Sequence, residues 1–193
     1  NSHPVSSGSV SYIKPGSGIG GGDINGNAVA GKKSLPIYCV KHDDSEKCIS
    51  ISFDAAWGAD DTIEILNTLD KYNVKATFFV LGCNVKGNET VLKRMYKMGM
   101  EIGNHTYSHS NLLKLDNYSV MDEIKKTNET IKNITGSETI YLRPPYGNIN
   151  SDIKNISNMY TILWDLDTED WKNKDKDRIA DYIVSNAHDG SIV

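Results

Sequence analysis

Short apolar runs and amphipathic stripes alternate along the chain from residue 35 onward. Two β-branched runs come first, at 35–40 and 47–53, and the polar stretch between them favours a hairpin. Beyond them, each run typical of a buried strand precedes a stripe with the helical period. This pattern predicts strands at 76–81, 100–103, 139–142, 160–164 and from 191, and helices at 61–72, 89–98, 119–135, 150–157 and 177–187.

The alternation of strands and helices predicts βα units around a parallel sheet, and therefore an α/β fold. We place this domain at residues 34–193. Residues 1–33 are rich in Gly, Ser and Asn and hold few large apolar side chains, which indicates a flexible tail or linker. A phosphate-binding loop is disfavoured in this tail, because its glycine run follows no strand and precedes no helix.

Two of the predicted helices carry apolar stripes that should face the core. The stripe of the 61–72 helix, which Asp60 or Asp61 would cap, consists of Ile63, Leu66, Leu69 and Tyr72. The stripe of the 119–135 helix consists of Val120, Ile124, Ile131 and Ile134. These side chains are expected to pack against the sheet.

Composition and charge exclude several classes of protein. The formal net charge of −4 argues against a nucleic-acid binder, which usually carries a basic surface. No apolar run reaches the roughly 18 residues that a membrane helix needs. Three cysteines are too few for a disulfide framework. Cys39 and Cys48 could pair across the predicted hairpin, although small buried side chains are the simpler interpretation.

Polar residues follow four of the predicted strands, at Asp54, His105, Arg143 and Asp167. In a barrel of βα units the chemistry lies at the carboxyl ends of the strands. Asp54 ends a buried strand, where a carboxylate must be paired or functional. His105 and His109 are four residues apart after the next such strand, a spacing that allows both to bind one metal. Taken singly, Asp54 could also be a helix cap, and each histidine could have a purely structural role.

The third and fourth clusters indicate a rigid loop and a sugar groove. Two prolines between Arg143 and Tyr146 fix the backbone, so the loop can aim the guanidinium and present the Tyr146 N–H as an oxyanion donor. A plain surface turn is the alternative. Acidic residues beside Trp164 and Trp171 suit a glycan, because indole stacks on sugar faces while carboxylates bond hydroxyls. The alternative there is an acidic surface loop with tryptophans at the edge of the core.

Together, four blocks resemble the polysaccharide deacetylase family, the NodB-homology domain of carbohydrate esterase family 4. The resemblance covers residues 35–193 and rests on Phe-Asp-Ala-Ala-Trp-Gly at 53–58, His-Thr-Tyr-Ser-His at 105–109, Arg-Pro-Pro-Tyr at 143–146 and Asp-Thr-Glu-Asp-Trp at 167–171. The first block resembles the branch found in spore-forming bacteria, linked to the cell wall and sporulation. The resemblance implies a distorted (β/α) barrel that acts outside the cell or at the cell wall, with a monomeric chain expected.

The resemblance further implies a hydrolase that removes acetyl groups from a glycan polymer. Peptidoglycan is the preferred substrate because of the family branch, with chitin or xylan as alternatives. The cofactor is a divalent metal, with zinc preferred and cobalt or nickel possible. The roles implied are catalytic base for Asp54, orientation of that base for Arg143, oxyanion donor for the Tyr146 N–H, tuning of the catalytic acid for Asp170, substrate contact for Trp57 and Trp171, and metal ligation for His105 and His109.

Two departures from the family pattern change these expectations. Ala55 stands where the family has an aspartate that is its third metal ligand, so we expect Asp60 to replace it, with Asp61 next. A site of two histidines and water is the other possibility. The family's acid is a histidine in a Leu-x-His block on the last strand, which this sequence only begins at 191–193, so the last strand and the acid are expected to be missing. A degenerate glycan-binding domain and an unrelated metallohydrolase, such as a phosphoesterase, are the rival functions.

Overall fold

The computed structural model describes residues 35–40, 47–55 and 60–193, with Asp60 described by its backbone alone. None of the helices in this described part is long and apolar enough to cross a membrane. Two 3-10 turns, at Leu112–Lys114 and Pro145–Gly147, accompany the regular elements. In chain order these elements are β1 Ser52–Ala55, α1 Asp60–Lys71, β2 Thr77–Val80, α2 Gly82–Val85, α3 Glu89–Lys97, β3 Glu101–Asn104, α4 Asn117–Thr135, β4 Tyr141–Leu142, α5 Ser151–Ser157, β5 Tyr160–Thr161 and α6 Lys176–Asn186.

The five strands of the described chain form one sheet in the order β1-β2-β3-β4-β5, with every neighbouring pair parallel. Phe53 pairs with Phe78, and Phe78 pairs with Ile102. Asn104 at the end of β3 pairs with Leu142 at the end of β4. Because parallel strands need crossovers, helices connect them, and the α/β fold predicted from the alternation is confirmed.

Two short segments join the edges of this sheet and make a distorted (β/α) barrel. Ile37 pairs in parallel with Ile162 just beyond β5, and Ser50 pairs in parallel with Ile192 just before β1. Cys39 pairs antiparallel with Ser191, which connects the two segments. The strand predicted from residue 191 therefore begins as expected and lies beside β1.

The hairpin predicted between residues 35–40 and 47–53 is wrong. The backbone N–H of Gly190 donates to the Cys48 carbonyl at 2.8 Å, and its carbonyl accepts from the Val40 N–H at 2.9 Å. The segment around Gly190 thus lies between the two runs, which satisfy their backbone groups with distant partners. Cys39 and Cys48 lie on opposite sides of it and, within the described structure, form no disulfide. Both are exposed, so the interpretation as small buried side chains is also wrong.

Most helix boundaries lie within two residues of the prediction, but the core face of α1 differs. Leu66 and Leu69 are buried as expected, whereas Ile63 and Tyr72 are exposed by 38% and 66%. Thr62 is buried instead, so the inward stripe is rotated toward it. On α4, Val120, Ile124 and Ile131 are buried and Ile134 packs against the core, as predicted.

The described core consists of two clusters that contact different ends of α4. The larger cluster packs α1 and α3 against β2 and β3 and includes Leu66, Phe78, Leu92, Met95, Ile102 and Ile131. The smaller cluster packs the other end of α4 against β4 and α5 and includes Leu112, Val120, Ile124, Leu142 and Ile153. Because α4 contributes to both clusters, it links the two halves of the sheet.

Glu101 allows a test of burial at the amino end of β3, away from the polar cluster. Burial raises the pKa of Glu101, so the fold favours its protonated form, and this contribution to stability is lost as the pH rises through the folded pKa. We expect Glu101→Gln to raise the free energy of unfolding at pH 7. The gain should shrink toward zero below about pH 4.3, the ordinary pKa of glutamate. Urea unfolding at both pH values, with the exposed Glu64→Gln as control, measures this; a gain that does not change with pH would contradict the assignment.

Candidate active site

The carboxyl ends of β1, β3 and β4 bring three of the predicted residues together. Asp54 is the third of the four residues of β1, His105 directly follows β3, and Arg143 directly follows β4. The Arg143 backbone N–H donates to the Asn104 carbonyl at 2.9 Å, which brings the ends of β3 and β4 side by side. Three of the four predicted positions therefore converge, whereas the fourth, Asp167, lies exposed in the stretch after β5 and, among the described residues, bonds only the nearby Glu169 N–H.

Arg143 is the buried centre of the cluster, with 3% of its surface exposed. Its Nη1 donates to Asp54 Oδ1 at 3.0 Å. Its Nη2 donates to Ser52 Oγ at 2.8 Å and to the Leu163 carbonyl at 3.1 Å. Its Nε donates to the Ile162 carbonyl at 3.2 Å. These bonds use the planar fork of the guanidinium and hold one oxygen of Asp54 in a fixed position.

Aromatic rings complete the surroundings of Arg143. The guanidinium carbon lies 4.2 Å from the Phe79 ring centroid and 5.5 Å from that of Trp164, within the range of cation–π contact. Burial lowers the pKa of Arg143, and the charge of Asp54 opposes this shift. Arginine remains protonated in proteins, so the buried positive charge faces the carboxylate.

His105 is almost fully buried, and its tautomer follows from one hydrogen bond. Its Nδ1 lies 2.7 Å from the Arg143 carbonyl oxygen. Because a carbonyl only accepts, Nδ1 donates, and Nε2 keeps its lone pair when the ring is neutral. Burial lowers the pKa of His105, which favours this neutral form. Nε2 lies 3.6 Å from Asp54 Oδ2, so two electron-pair donors face each other.

His109 lies beside His105, with 5.0 Å between the two ring centroids. Its pKa is also lowered, first by burial and then by the neighbouring His105. Its ring further contacts that of Tyr146 at 4.9 Å. Two neutral imidazoles and one carboxylate are therefore adjacent, and this set of nitrogen and oxygen donors suits a divalent cation such as zinc.

The structure does not complete a metal site from the residues it describes. Within that part of the chain, no group of three or more His, Cys, Asp or Glu side chains is arranged to hold a metal ion. The predicted third ligand, Asp60, and the predicted substrate contact, Trp57, have side chains outside the described residues. Asp61 is exposed at the start of α1. The third ligand stays a prediction.

Tyr146, the predicted oxyanion donor, has an unusual backbone conformation. Its φ and ψ are 62° and 10°, left-handed values that are uncommon outside glycine. Pro145 before it and Gly147 after it belong to the same 3-10 turn. The Tyr146 N–H has no backbone acceptor among the described residues. The side chain is 62% exposed, and the role of the N–H as an oxyanion donor stays a prediction.

Asp170 and Trp171 lie in an exposed turn after β5. Asp170 Oδ1 accepts from Thr168 Oγ1 at 3.3 Å, and Trp171 is 73% exposed. Their predicted roles, tuning of the acid and contact with substrate, stay predictions. Trp164 from the same acidic stretch turns inward to Arg143 instead.

Sequence reasoning missed three residues that shape the cluster and its surroundings. Ser52 and Phe79 contact Arg143 directly, and Ser52 precedes Asp54 by two, which places both side chains on one face of β1. Asp165 accepts from Ser191 Oγ at 2.9 Å and from the Ile192 N–H at 2.6 Å, and so ties the C-terminal segment to the barrel. Of these residues, only Ser52 could have been found from the sequence, because the two-residue period of a strand places it on the same face as Asp54.

Comparison with known proteins identifies the family. The profile of the polysaccharide deacetylase family matches residues 41–162, more than half of the chain, and the chain belongs to this family. It is 39% identical over 151 residues to the peptidoglycan-N-acetylmuramic acid deacetylase PdaC of Bacillus subtilis, covering 78% of this chain and 32% of PdaC. It is 36% identical over 149 residues to the peptidoglycan-N-acetylglucosamine deacetylase PgdA of Listeria monocytogenes, covering 77% and 32%. The chain thus spans about a third of the length of these two relatives.

Solved structures agree with the fold. The structure of PdaC superposes with a TM-score of 0.74 at 39% identity, covering 77% of this chain and 73% of that one. A carbohydrate esterase family 4 pseudoenzyme from Bacillus anthracis superposes with a TM-score of 0.77 at 33% identity, covering 83% and 57%. The family and the distorted barrel predicted from the four sequence blocks are confirmed. The link to the spore-former branch stays a prediction.

Arg143→Lys tests whether the fork of hydrogen bonds holds the cluster together. A lysine keeps the charge but cannot reach all four acceptors, so buried acceptors lose their partner. We expect a loss of about 1–3 kcal/mol in the free energy of unfolding. Urea unfolding measures the loss. Arg94→Lys is the matched control, because Arg94 donates one surface hydrogen bond to Asn67; equal losses in both variants would contradict the central role of Arg143.

Proposed function

We propose that this domain is a metal-dependent hydrolase that removes N-acetyl groups from a cell-wall polysaccharide, with peptidoglycan as the substrate. The observation that carries the proposal is the carboxylate of Asp54, which Arg143 holds facing the Nε2 lone pair of His105. The names of the relatives PdaC and PgdA support peptidoglycan. A glycan polymer would then be the partner of a monomeric domain that acts at the cell wall or outside the cell.

His105 and His109 would hold the metal through their ring nitrogens, and Asp60 is the proposed third ligand. The neutral tautomer of His105 and the adjacent His109 ring fit such a group. Zinc is preferred, with cobalt or nickel as alternatives. When bound there, the metal would supply Lewis acidity that polarises the acetyl carbonyl.

The protein groups around it would carry the proton chemistry. Asp54 would take the proton of the attacking water as general base. Arg143 restrains Asp54 through Oδ1, which leaves Oδ2 directed to the side where His105 lies. The Tyr146 N–H would donate to the oxygen that becomes negative during attack on the acetyl carbon.

The residues of the fourth block would act around the sugar. Trp171 is broadly exposed after β5, and indole rings of this kind stack on sugar faces. Together with Trp57 it is proposed to line the groove. Asp170 is proposed to tune the acid that protonates the leaving amine. The sugar rings of chitin or xylan would stack on the same indoles, so assays of acetate release from each polymer decide which one is the substrate.

A glycan-binding domain without activity is the second candidate. Ala55, at the position of the family's third metal ligand, favours it. The similarity to a structure described as a pseudoenzyme also favours it. The ion pair of Asp54 and Arg143 beside two histidines favours the enzyme, because a binding domain needs none of these. Membership of the deacetylase family disfavours the unrelated phosphoesterase.

Asp54→Asn tests the enzyme against the binding domain. The amide keeps the shape of the side chain but cannot act as a base, so acetate release from peptidoglycan fragments should fall about 10²–10⁴-fold. The variant should remain folded by circular dichroism, with a lower stability because Arg143 loses its charged partner. Asp122→Asn on the surface of α4 serves as the control. Near-normal turnover by Asp54→Asn would overturn its role. No acetate release by the wild-type protein with added metal, together with retained glycan binding, would favour the binding domain.

A calorimetric metal titration tests the ligand set. His105→Ala should abolish binding, since its Nε2 is oriented by the hydrogen bond between its Nδ1 and the Arg143 carbonyl. Asp60→Ala should weaken the affinity strongly if Asp60 replaces the missing aspartate. Asp61→Ala should mainly lower stability, because Asp61 is an acid in the first turn of α1, where negative charge is favourable. Unchanged affinity in both aspartate variants, with loss in His105→Ala, would establish the site of two histidines and water instead.

A further inference from the structure

The loop that carries both histidines, residues 105–109, has a backbone that needs outside support. Thr106 has φ 72° and His109 has φ 62°, left-handed values that β-branched and bulky residues rarely adopt. Such conformations persist where the surrounding structure fixes them from several sides. The contacts that fix this histidine loop therefore decide where the imidazole of His109 lies.

Glu123 on α4 provides the largest group of these contacts. Its Oε2 accepts from the Tyr107 N–H at 2.9 Å and from the Ser108 N–H at 2.8 Å. Its Oε1 accepts from Ser108 Oγ at 2.7 Å. One carboxylate thus binds three donors from the two residues midway between the histidines. Hydrogen bonds to an ionised acceptor are stronger than neutral ones.

A second connection from the same helix reaches the start of the loop. The buried Asn104 Nδ2 donates to the Ile124 carbonyl at 2.8 Å and to Asn128 Oδ1 at 2.7 Å. Asn104 Oδ1 accepts from the Thr106 N–H at 2.7 Å. Thr106 Oγ1 in turn accepts from the His109 N–H at 3.2 Å. The loop is therefore attached to α4 at its beginning and at its middle.

α4 is a rigid support for these bonds. It has 19 residues and contributes buried side chains to both core clusters. Asp116 caps its first turn through the Ser119 N–H, and Gly136 ends it at φ 78°. A carboxylate on such a helix holds its donors at a fixed position relative to the sheet.

The two histidines are thus held from different directions. His105 is held through the Arg143 carbonyl just after β4. The backbone leading to His109 is held by Glu123 on α4, and also by the Gly82 and Cys83 N–H groups of α2, which donate to the Thr106 and Tyr107 carbonyls at 3.0 Å. The ring centroids of the two histidines lie 5.0 Å apart. We propose that Glu123 is a positioning residue: its carboxylate clamps Tyr107 and Ser108, and thereby sets the approach of His109 to His105 and the affinity of the pair for a divalent cation. The proposal rests on the proposed metal-dependent function.

Calorimetric titration of the metal-free full chain with Zn²⁺ tests the affinity. Glu123→Ala should weaken binding about 10–100-fold, the usual cost of losing a group that orients a metal ligand. Glu123→Gln should recover most of it, because the amide oxygen still accepts both backbone N–H groups. Glu129→Ala, an exposed acid on α4 paired with Lys125, should leave the affinity unchanged. All variants are compared in buffer without urea, at a pH where circular dichroism shows them folded. A loss of stability alone would then not change the measured affinity.

Amide hydrogen exchange on the metal-free protein tests the clamp without any metal. Glu123→Ala should speed exchange of the Tyr107 and Ser108 amides at least about tenfold, because their acceptor is removed, while amides of β2 stay protected. Folded Glu123→Ala with wild-type affinity, or with unchanged exchange at these two amides, would overturn the proposal. Wild-type protein that binds no Zn²⁺ would contradict both the proposed function and the link between Glu123 and metal affinity. The hydrogen-exchange result would then test only whether Glu123 holds the Tyr107 and Ser108 amides. Should Glu123→Ala fail to fold, Ser108→Ala removes one of the three bonds, and unchanged affinity and exchange in that variant would count against the clamp.

Discussion

The burial of the Arg143 guanidinium is the constraint on which the site depends. A buried charge is tolerated when it is paired and its donors are satisfied. Here β1 supplies Ser52 and Asp54, and the backbone at 162–163 supplies two carbonyls. Since these acceptors come from opposite parts of the sheet, one side chain connects them, and the position of the catalytic candidate Asp54 follows from the requirement to neutralise the arginine.

The loop after β4 that carries Arg143 also determines the protonation and tautomer of His105. Its ring donates from Nδ1 to the Arg143 carbonyl, so the nitrogen that faces Asp54 carries the lone pair. Burial favours the neutral ring, which is the form that binds metals. The backbone carbonyl of Arg143 therefore fixes the tautomer of His105, while the Arg143 side chain fixes the carboxylate of Asp54. Electrostatics, hydrogen bonding and strand order act on the same few atoms.

α4 has a role in both halves of the molecule. Its apolar face joins the two core clusters, and its polar side reaches the loop of His105 and His109 through Glu123 and Asn128. Packing thereby supports a loop whose own backbone preferences are unfavourable.

The sequence by itself determined the alternating elements, the parallel sheet, the family and the grouping of Asp54, His105 and Arg143, because strand ends and hydrophobic periods are local properties. It misplaced Ile63 and Tyr72 in the core and predicted a hairpin that is absent, because which face is covered and which segment pairs are decided by distant partners such as Ile192. Only the tertiary structure revealed the contacts of Phe79 and Trp164 with the guanidinium and of Glu123 with the histidine loop. These contacts join residues far apart in the chain, so no periodicity or spacing encodes them; they exist because a buried charge and a strained loop must be satisfied by whatever the fold brings near.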